Sequence, residues 1–318
     1  MYDLILFLVM YLFSFHIVIG GYDWFMVWLG LEINMMMFVV VVYSRYNMVN
    51  VESCFKYFFI QSLGSALFMA LFYLNKEFLD YALCVVLSYK VGAGPFFFWF
   101  PSICSGISWM SCFILMSIQK IIPLVLISMF VTWVMFFIIV ISLFVGVFGS
   151  FNQKDLKRLV AYSSVYHLGW ILLCILMDSS FWMNYLMVYM MMVFPVVFFM
   201  KKSDIMDILE MIKSKMKLWL VVLMLSMAGM PPFLGFFLKW FAFTKIVNVS
   251  VFYMLMLVIS SVVMFYVYFR VIYDMLMGYY YYSGWGNWSE GKKSKVWFDT
   301  LGVLGMLSGI VISLCMLM

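Results

Sequence analysis

The sequence predicts an all-α polytopic membrane protein with about eleven transmembrane helices, two of them broken. Three observations carry the prediction. Of 318 residues, 68% are hydrophobic and 10% are charged, where soluble globular domains carry about 25% charged residues. Apolar runs of about 20 residues, the length that crosses a bilayer, recur along the chain with short connections. Of the basic residues in connections and adjoining helix ends, 13 fall at every second connection and 2 at the others. No soluble core has room for this much apolar surface, so lipid is the solvent.

The spans, taken in order, are 2–20, 24–44, 53–74, 78–100, 106–128, 132–150, 157–177, 182–200, 217–246, 250–277 and 297–317. The first run has no basic residues ahead of it. It is expected as a transmembrane helix rather than a cleaved signal peptide. The fourth span is interrupted near Gly92-Ala93-Gly94-Pro95, and the ninth near Met230-Pro231-Pro232. The connection 201–216 is lysine-rich with room for an amphipathic helix. The connection 278–296 is rich in Tyr, Gly, Trp and Lys. The whole chain, 1–318, reads as one integral membrane domain.

Orientation follows from the loop cations. The connections after even-numbered spans, with adjoining helix ends, hold Arg45, Lys56, Lys154, Lys157, Arg158, Lys201, Lys202, Lys213, Lys215, Lys217, Lys292, Lys293 and Lys295; the opposite side holds Lys76 and Lys245. This places the N-terminus on the positive-inside face and the C-terminus, after eleven crossings, on the other. The breaks then fall in the fourth helix of each of two five-helix units, 1–128 and 132–277, followed by a C-terminal helix at 297–317. Tandem units of odd helix number have opposite topology. Interrupted helices at matching places in inverted units point to a transporter's ion site. No clear sequence identity links the halves, so this repeat is an expectation from hydropathy.

Four ionisable residues stand well inside spans: Glu32, Lys90, Lys120 and Lys239. Burying a charge in a bilayer is expensive, so such residues mark a pathway or a paired site. A row of titratable groups joined by water is a proton path. The competing role is a structural ion pair, or a lysine that snorkels to the interface. None of the three lysines is within easy reach of a helix end. Arg270, about two turns from the end of its span, reaches the positive side and is read as structural. His167, within Ser163-Ser164-Val165-Tyr166-His167, has hydroxyl neighbours; a proton relay and a hydrogen-bonded structural histidine both remain open. His16 has no polar company. Glu52 and Lys56, spaced i,i+4, read as a surface helix pair.

The six cysteines (54, 84, 104, 112, 174 and 315) show neither cluster nor zinc spacing and read as small core hydrophobes. There is no phosphate loop, nucleotide fingerprint or HExxH. The net charge of +5 is spread between spans, without a patch for nucleic acid. No cofactor or metal is expected on this chain, and its partners are expected to be lipid and other membrane subunits. High Phe, Met and Tyr counts suggest a base-biased genome and a mitochondrial code.

Several motifs together resemble the family of NADH-ubiquinone oxidoreductase chain 2, the mitochondrially encoded antiporter-like subunits of respiratory complex I. They are Trp28-Leu-Gly-Leu-Glu32-Ile-Asn34, Glu52-Ser-Cys-Phe-Lys56-Tyr-Phe58, Lys90-Val-Gly-Ala-Gly-Pro95 with Phe98-Trp99-Phe-Pro101, Gln119-Lys120-Ile-Ile-Pro123, Asn152-Gln153, Ala161-Tyr-Ser-Ser164 with His167-Leu-Gly-Trp170, and Gly229-Met-Pro-Pro-Phe-Leu-Gly-Phe-Phe-Leu-Lys239-Trp240. The resemblance implies proton pumping. Glu32 is similar to the family's glutamate beside the first half-channel, Lys90 and Lys239 to the lysines of its two broken helices, and Lys120 to its connecting lysine. It further implies an inner mitochondrial membrane location with the N-terminus in the matrix and the C-terminus in the intermembrane space. Membrane-arm subunits would be neighbours, with NADH, flavin, iron–sulfur clusters and ubiquinone held elsewhere in the complex. The chain departs from the family at Phe97, where a histidine is usual, and at Ser102, where a glutamate is usual. Two other readings stand beside proton pumping: a different antiporter-like cation/proton subunit, and a scaffold of the complex that moves no protons.

Overall fold

The computed structural model describes residues 2–72, 76–177, 180–203, 205–213, 217–231, 233–246 and 251–282. These residues are helical almost throughout, as the apolar runs require. The first three helices are α1 (Tyr2–Gly20), α2 (Trp24–Val42) and α3 (Met48–Leu71). Next come α4 (Lys76–Val91), a 3-10 turn (Gly94–Phe96) and α5 (Trp99–Gly106). Then follow α6 (Trp109–Met116), α7 (Ile118–Met129), α8 (Val134–Ser150), α9 (Leu156–Leu176) and α10 (Phe181–Ser203). The chain continues through α11 (Ile208–Lys213), α12 (Lys217–Ala228), α13 (Leu234–Ile246) and α14 (Val251–Tyr282).

Six helices among the described residues are long and apolar enough to cross a membrane, and a seventh counts if α4 and α5 form one bent span. Shorter apolar helices occupy Leu6–Gly20, Val134–Ser150 and Trp219–Ala228. The expected span 297–317 lies outside the described residues. Three spans differ from the sequence expectation. The run 78–100 is not one helix: α4 stops at Val91, and α5 is set at 90° to the helix before the break. The run 106–128 is divided at Ser117 into α6 and α7. The third helix begins at Met48, where Asn47 accepts from the Val49 N–H at 3.1 Å as an N-cap.

The outer surface is apolar over a core that is itself mostly apolar. Leu12, Phe13, Phe59, Leu63, Phe137, Phe148 and Val262 face outward, while Lys90, Lys120, Lys157, Lys239 and His167 are buried. At the centre lies α9, packed against α5, α6, α7, α8, α10 and α13. Close approach of α8 and α9 depends on Gly146, where a Cβ would stand 2.6 Å from Tyr166 backbone and side-chain atoms. Small residues at such contacts are how membrane helices pack tightly.

The two breaks are built alike. The left-handed glycines among the described residues are Gly92 (φ 75°), Gly94 (φ 60°) and Gly229 (φ 84°), all at breaks. At the first, Gly92 and Ala93 N–H both donate to Ser88 O at 3.0 Å. At the second, Gly229 and Met230 N–H both donate to Leu225 O, at 3.1 and 3.3 Å. This is the glycine-terminated helix end that satisfies carbonyls otherwise left orphaned. Pro232 lies outside the described residues.

Connections after the second, fourth, sixth and eighth predicted spans meet in space. Ser44, Asn50, Ser105, Ser108, Asp155 and Asp207 help line one open recess of about 530 Å³. Leu156 N–H donates to Met206 O at 3.0 Å, and Ile208 N–H to Lys154 O at 3.2 Å. Arg270 donates to Phe151 O at 3.1 Å on this same side, so it reaches an end of the bundle as expected.

Candidate functional site

The buried charges are joined by polar side chains from several helices. On α3, Tyr57, Gln61 and Ser65 recur every four residues and form one stripe facing inward. Ser65 donates to the half-buried Glu32 carboxylate. Gln61 donates to the Lys90 carbonyl at 3.0 Å, and the Trp99 indole to the Tyr89 carbonyl at 3.2 Å. The broken end of α4 therefore keeps its backbone bonded, as helix ends at membrane depth require. Gly64 leaves room for Lys90: a Cβ there would lie 2.9 Å from the lysine Cγ. Glu32 is within electrostatic reach of Lys90, but no ion pair joins them.

Lys90 and Lys120 line one small cavity of about 30 Å³ with Asn34, Tyr57, Gln61 and Gln119. A water molecule needs about 10–15 Å³ on this measure and two to four polar partners, so the cavity has room and bonding groups for water. Gln119 holds its rim, donating to Tyr57 Oη at 2.8 Å and accepting from Tyr11 at 3.2 Å. Asn34 donates to Ser14 at 3.0 Å. Pro123 lies inside α7 and has no N–H, so the Gln119 carbonyl one turn earlier loses its helical donor.

Lys120 donates to Ser164 on α9, at 3.1 Å to Oγ and 3.3 Å to the carbonyl, and lies 4.6 Å from the Phe100 ring centre. Lys239 on α13 donates at 3.0 Å to Ala228 O, the last carbonyl of α12, and sits 5.6 Å from the Tyr166 ring centre. His167, between them on α9, is bonded to Tyr185 Oη through Nδ1 at 2.9 Å; both lysines are within its electrostatic reach. Ion pairs among the described residues join Lys56 to Glu52 and Arg158 to Asp155, all at the surface. None involves Lys90, Lys120 or Lys239. The amines of Lys120 and Lys239 are bonded to neutral groups, and Lys90 lines the cavity.

Lys157, counted with the loop cations and adjoining helix ends, sits at the start of α9 and is buried. Its amine donates to Ile107 O at 2.7 Å, 5.6 Å from the Trp109 ring centre, and the residue lines the open recess. The nearest sequence signal was its place one residue inside α9. Tyr57, Gln61 and Ser65 were also missed as a group, although their four-residue spacing was visible. His16 is exposed, and Glu52–Lys56 is the surface pair expected, at 2.6 Å. Phe97 packs on Phe98 and Tyr162, and exposed Ser102 donates to Trp99 O at 2.8 Å. Cys54, Cys84, Cys104, Cys112 and Cys174 are buried, and Cys315 lies outside the described residues. Among the described residues no group of three His, Cys, Asp or Glu side chains could hold a metal ion.

Residues 73–264 match the family of NADH:quinone oxidoreductase/Mrp antiporter transmembrane proteins. Over 253 residues the chain is 35% identical to NADH-ubiquinone oxidoreductase chain 2 of Anopheles gambiae, covering 74% of each. It is 34% identical to the corresponding chain of Artemia franciscana, covering 78% of this chain and 82% of that relative. Its fold is similar to that of a chain of Thermus thermophilus respiratory complex I solved with bound aureothin. The TM-score is 0.80 at 20% identity, over 98% of this chain and 77% of that one.

Proposed function

Because the chain belongs to the NADH:quinone oxidoreductase/Mrp antiporter transmembrane family, we propose that it is a proton-translocating, antiporter-like membrane subunit of respiratory complex I. The observation that carries the proposal is the line of buried amines. Lys90, Lys120 and Lys239 have no carboxylate partner within ion-pair distance among the described residues. Lys90 and Lys120 share a cavity sized for water, Lys120 is bonded to Ser164 on α9, and Lys239 lies against the Tyr166 ring on the same helix. In this reading Glu32 and Ser65 open the line, Lys90 and Lys120 share the cavity, and His167 stands beside the step from Lys120 to Lys239. Electron transfer from NADH to ubiquinone in other subunits supplies the energy. This chain holds and passes protons and makes no redox contact itself.

The same reading sets the chain in the inner mitochondrial membrane with other membrane-arm subunits as neighbours, the N-terminus in the matrix and the C-terminus in the intermembrane space. It comprises eleven spans: two inverted units, 1–128 and 132–277, and a helix at 297–317. The alike breaks at Gly92 and Gly229, and the recess shared by the connections after even-numbered spans, support that arrangement.

The test is Lys→Met replacement at positions 90, 120 and 239 in the assembled complex. Met keeps the length of the side chain and removes the proton-binding nitrogen. Each variant should assemble, and NADH-driven proton uptake into vesicles should fall on the order of 10²-fold, as for a lost proton-transfer group. Assembly with proton uptake at the parental level would mean that the chain is a scaffold.

A further inference from the structure

Between Lys120 and Lys239 lies a set of buried groups that the hydrogen bonds above do not use. Tyr166 on α9, Tyr189 on α10 and Tyr268 on α14 are buried, and none of their hydroxyls has a hydrogen-bond partner. The Trp170 indole N–H, on a ring 6.3 Å from that of Tyr166, is unpartnered as well. Buried polar groups are bonded in the great majority of cases, and each one left bare costs about 1–3 kcal/mol. Several orphans in one place, on three different helices, therefore call for a common partner.

The neighbouring groups offer bonding partners for water. Ser163 lies near the Tyr268 hydroxyl, Ser164 near that of Tyr189, and Ser260 and the Trp170 indole near that of Tyr166, each outside direct hydrogen-bond geometry. Each serine donates to its own helix, Ser163 to Val160 O at 2.8 Å, Ser164 to Ala161 O at 2.6 Å and Ser260 to Leu257 O at 3.0 Å. The Ser163 and Ser260 oxygens are left to accept, and that of Ser164 already accepts from Lys120. Tyr268 is within electrostatic reach of both Tyr166 and Tyr189, so the hydroxyls form one cluster. It reaches both lysines: Ser164 is bonded to Lys120, and the Tyr166 ring lies against Lys239. His167 packs on Tyr189 with ring centres 5.0 Å apart, but its Nδ1 is taken by Tyr185.

We propose that the Tyr166, Tyr189 and Tyr268 hydroxyls hold ordered water and, with it, carry the proton between Lys120 and Lys239. This rests on the pumping reading above. A tyrosine hydroxyl both donates and accepts. As an N–H bond of the Lys120 ammonium breaks, an O–H bond forms on a neighbouring oxygen. Each further hop breaks one O–H bond and makes the next, and the last makes an N–H bond on Lys239. No electron changes hands and no other reactant is needed.

The test is Tyr→Phe replacement, singly and in the triple combination, in the assembled NADH-oxidising complex, with Lys239→Met alongside. Phe keeps the ring and its packing and removes only the oxygen. The triple variant should assemble and lose proton uptake on the order of ten-fold. A high-resolution map of the parental complex should show water bonded to these hydroxyls. A dry cluster in that map overturns the proposal, as does parental uptake in the triple variant. If the triple variant does not assemble, the three single variants decide, and parental uptake in all of them overturns it. Parental uptake in Lys239→Met would instead bring down the pumping reading itself. Loss in Lys239→Met with none in the Tyr→Phe series brings down the tyrosine link alone.

Discussion

Lys90 and Lys239 lie on opposite sides of their helix breaks in the chain, and this gives their amines different duties. Lys90 comes two residues before Gly92; its backbone carbonyl is bonded by Gln61, and its amine lines the cavity. Lys239 comes ten residues after Gly229, and its amine is itself the partner of Ala228 O. That carbonyl sits at the negative end of α12, where a cation is favoured. Replacing Lys239 with Met therefore leaves a buried carbonyl bare, at a cost of about 1–3 kcal/mol, whereas Lys90→Met leaves the backbone bonded. Thermal unfolding of the isolated complex should show the difference: Lys239→Met lowers the transition temperature more than Lys90→Met does, although both stop proton uptake. Equal transition temperatures would deny Lys239 its backbone role. The lysines were legible in the sequence because a charge within an apolar run stands out. Their partners were not. Gln61, Gln119 and Ser164 are ordinary in a membrane helix until the register of neighbouring helices is known, and the burial of Lys157 at its helix end depends on the same register.

At the level of elements, the breaks were legible because glycine and proline are the strongest local punctuation, and Gly92, Gly94 and Gly229 all have a positive φ. Hydropathy carried the fourth span through to residue 100, because an apolar run reads the same whether its helix is straight or turns by 90°. Ser117 divides the fifth run with no glycine at the junction, so nothing in the sequence marked it. The second break tolerates little change. A residue other than glycine held at left-handed angles costs about 1–3 kcal/mol. A Cβ on Gly229 would also stand 3.0 Å from the Lys239 amine. Gly229→Ala should therefore destabilise the complex and reduce proton uptake together, with the amine displaced from Ala228. Gly20→Ala is the control, since a Cβ there meets nothing closer than His16 at 3.7 Å; proton uptake and thermal unfolding should both stay at the parental level. A Gly229→Ala variant with parental behaviour would mean that the break has no fixed geometry.

For the whole molecule, the cation count and the recess agree that the connections after even-numbered spans share one face. The count says that connections after even-numbered spans share a face because Lys and Arg are retained on the positive-inside side. The recess says it geometrically, since Ser44, Ser105, Asp155 and Asp207 come from four such connections and line one opening. A missed or extra span anywhere among the first eight would have sent one of these connections to the far side, where it could not line the recess. The exposed lysines on that face include Lys56, Lys154, Lys201 and Lys202, and Lys245 is exposed on the other. An amine reagent that cannot cross membranes should thus label Lys154, Lys201 and Lys202 when the matrix face is outward, in inverted inner-membrane vesicles, and leave them unlabelled in mitoplasts. Lys245 should show the reverse. Peptide mass spectrometry after labelling reads both sets in one sample. Labelling of both sets from the same side would break the alternation, and with it the opposed topology of the two units. The buried Lys90, Lys120 and Lys239 should stay unlabelled from either side.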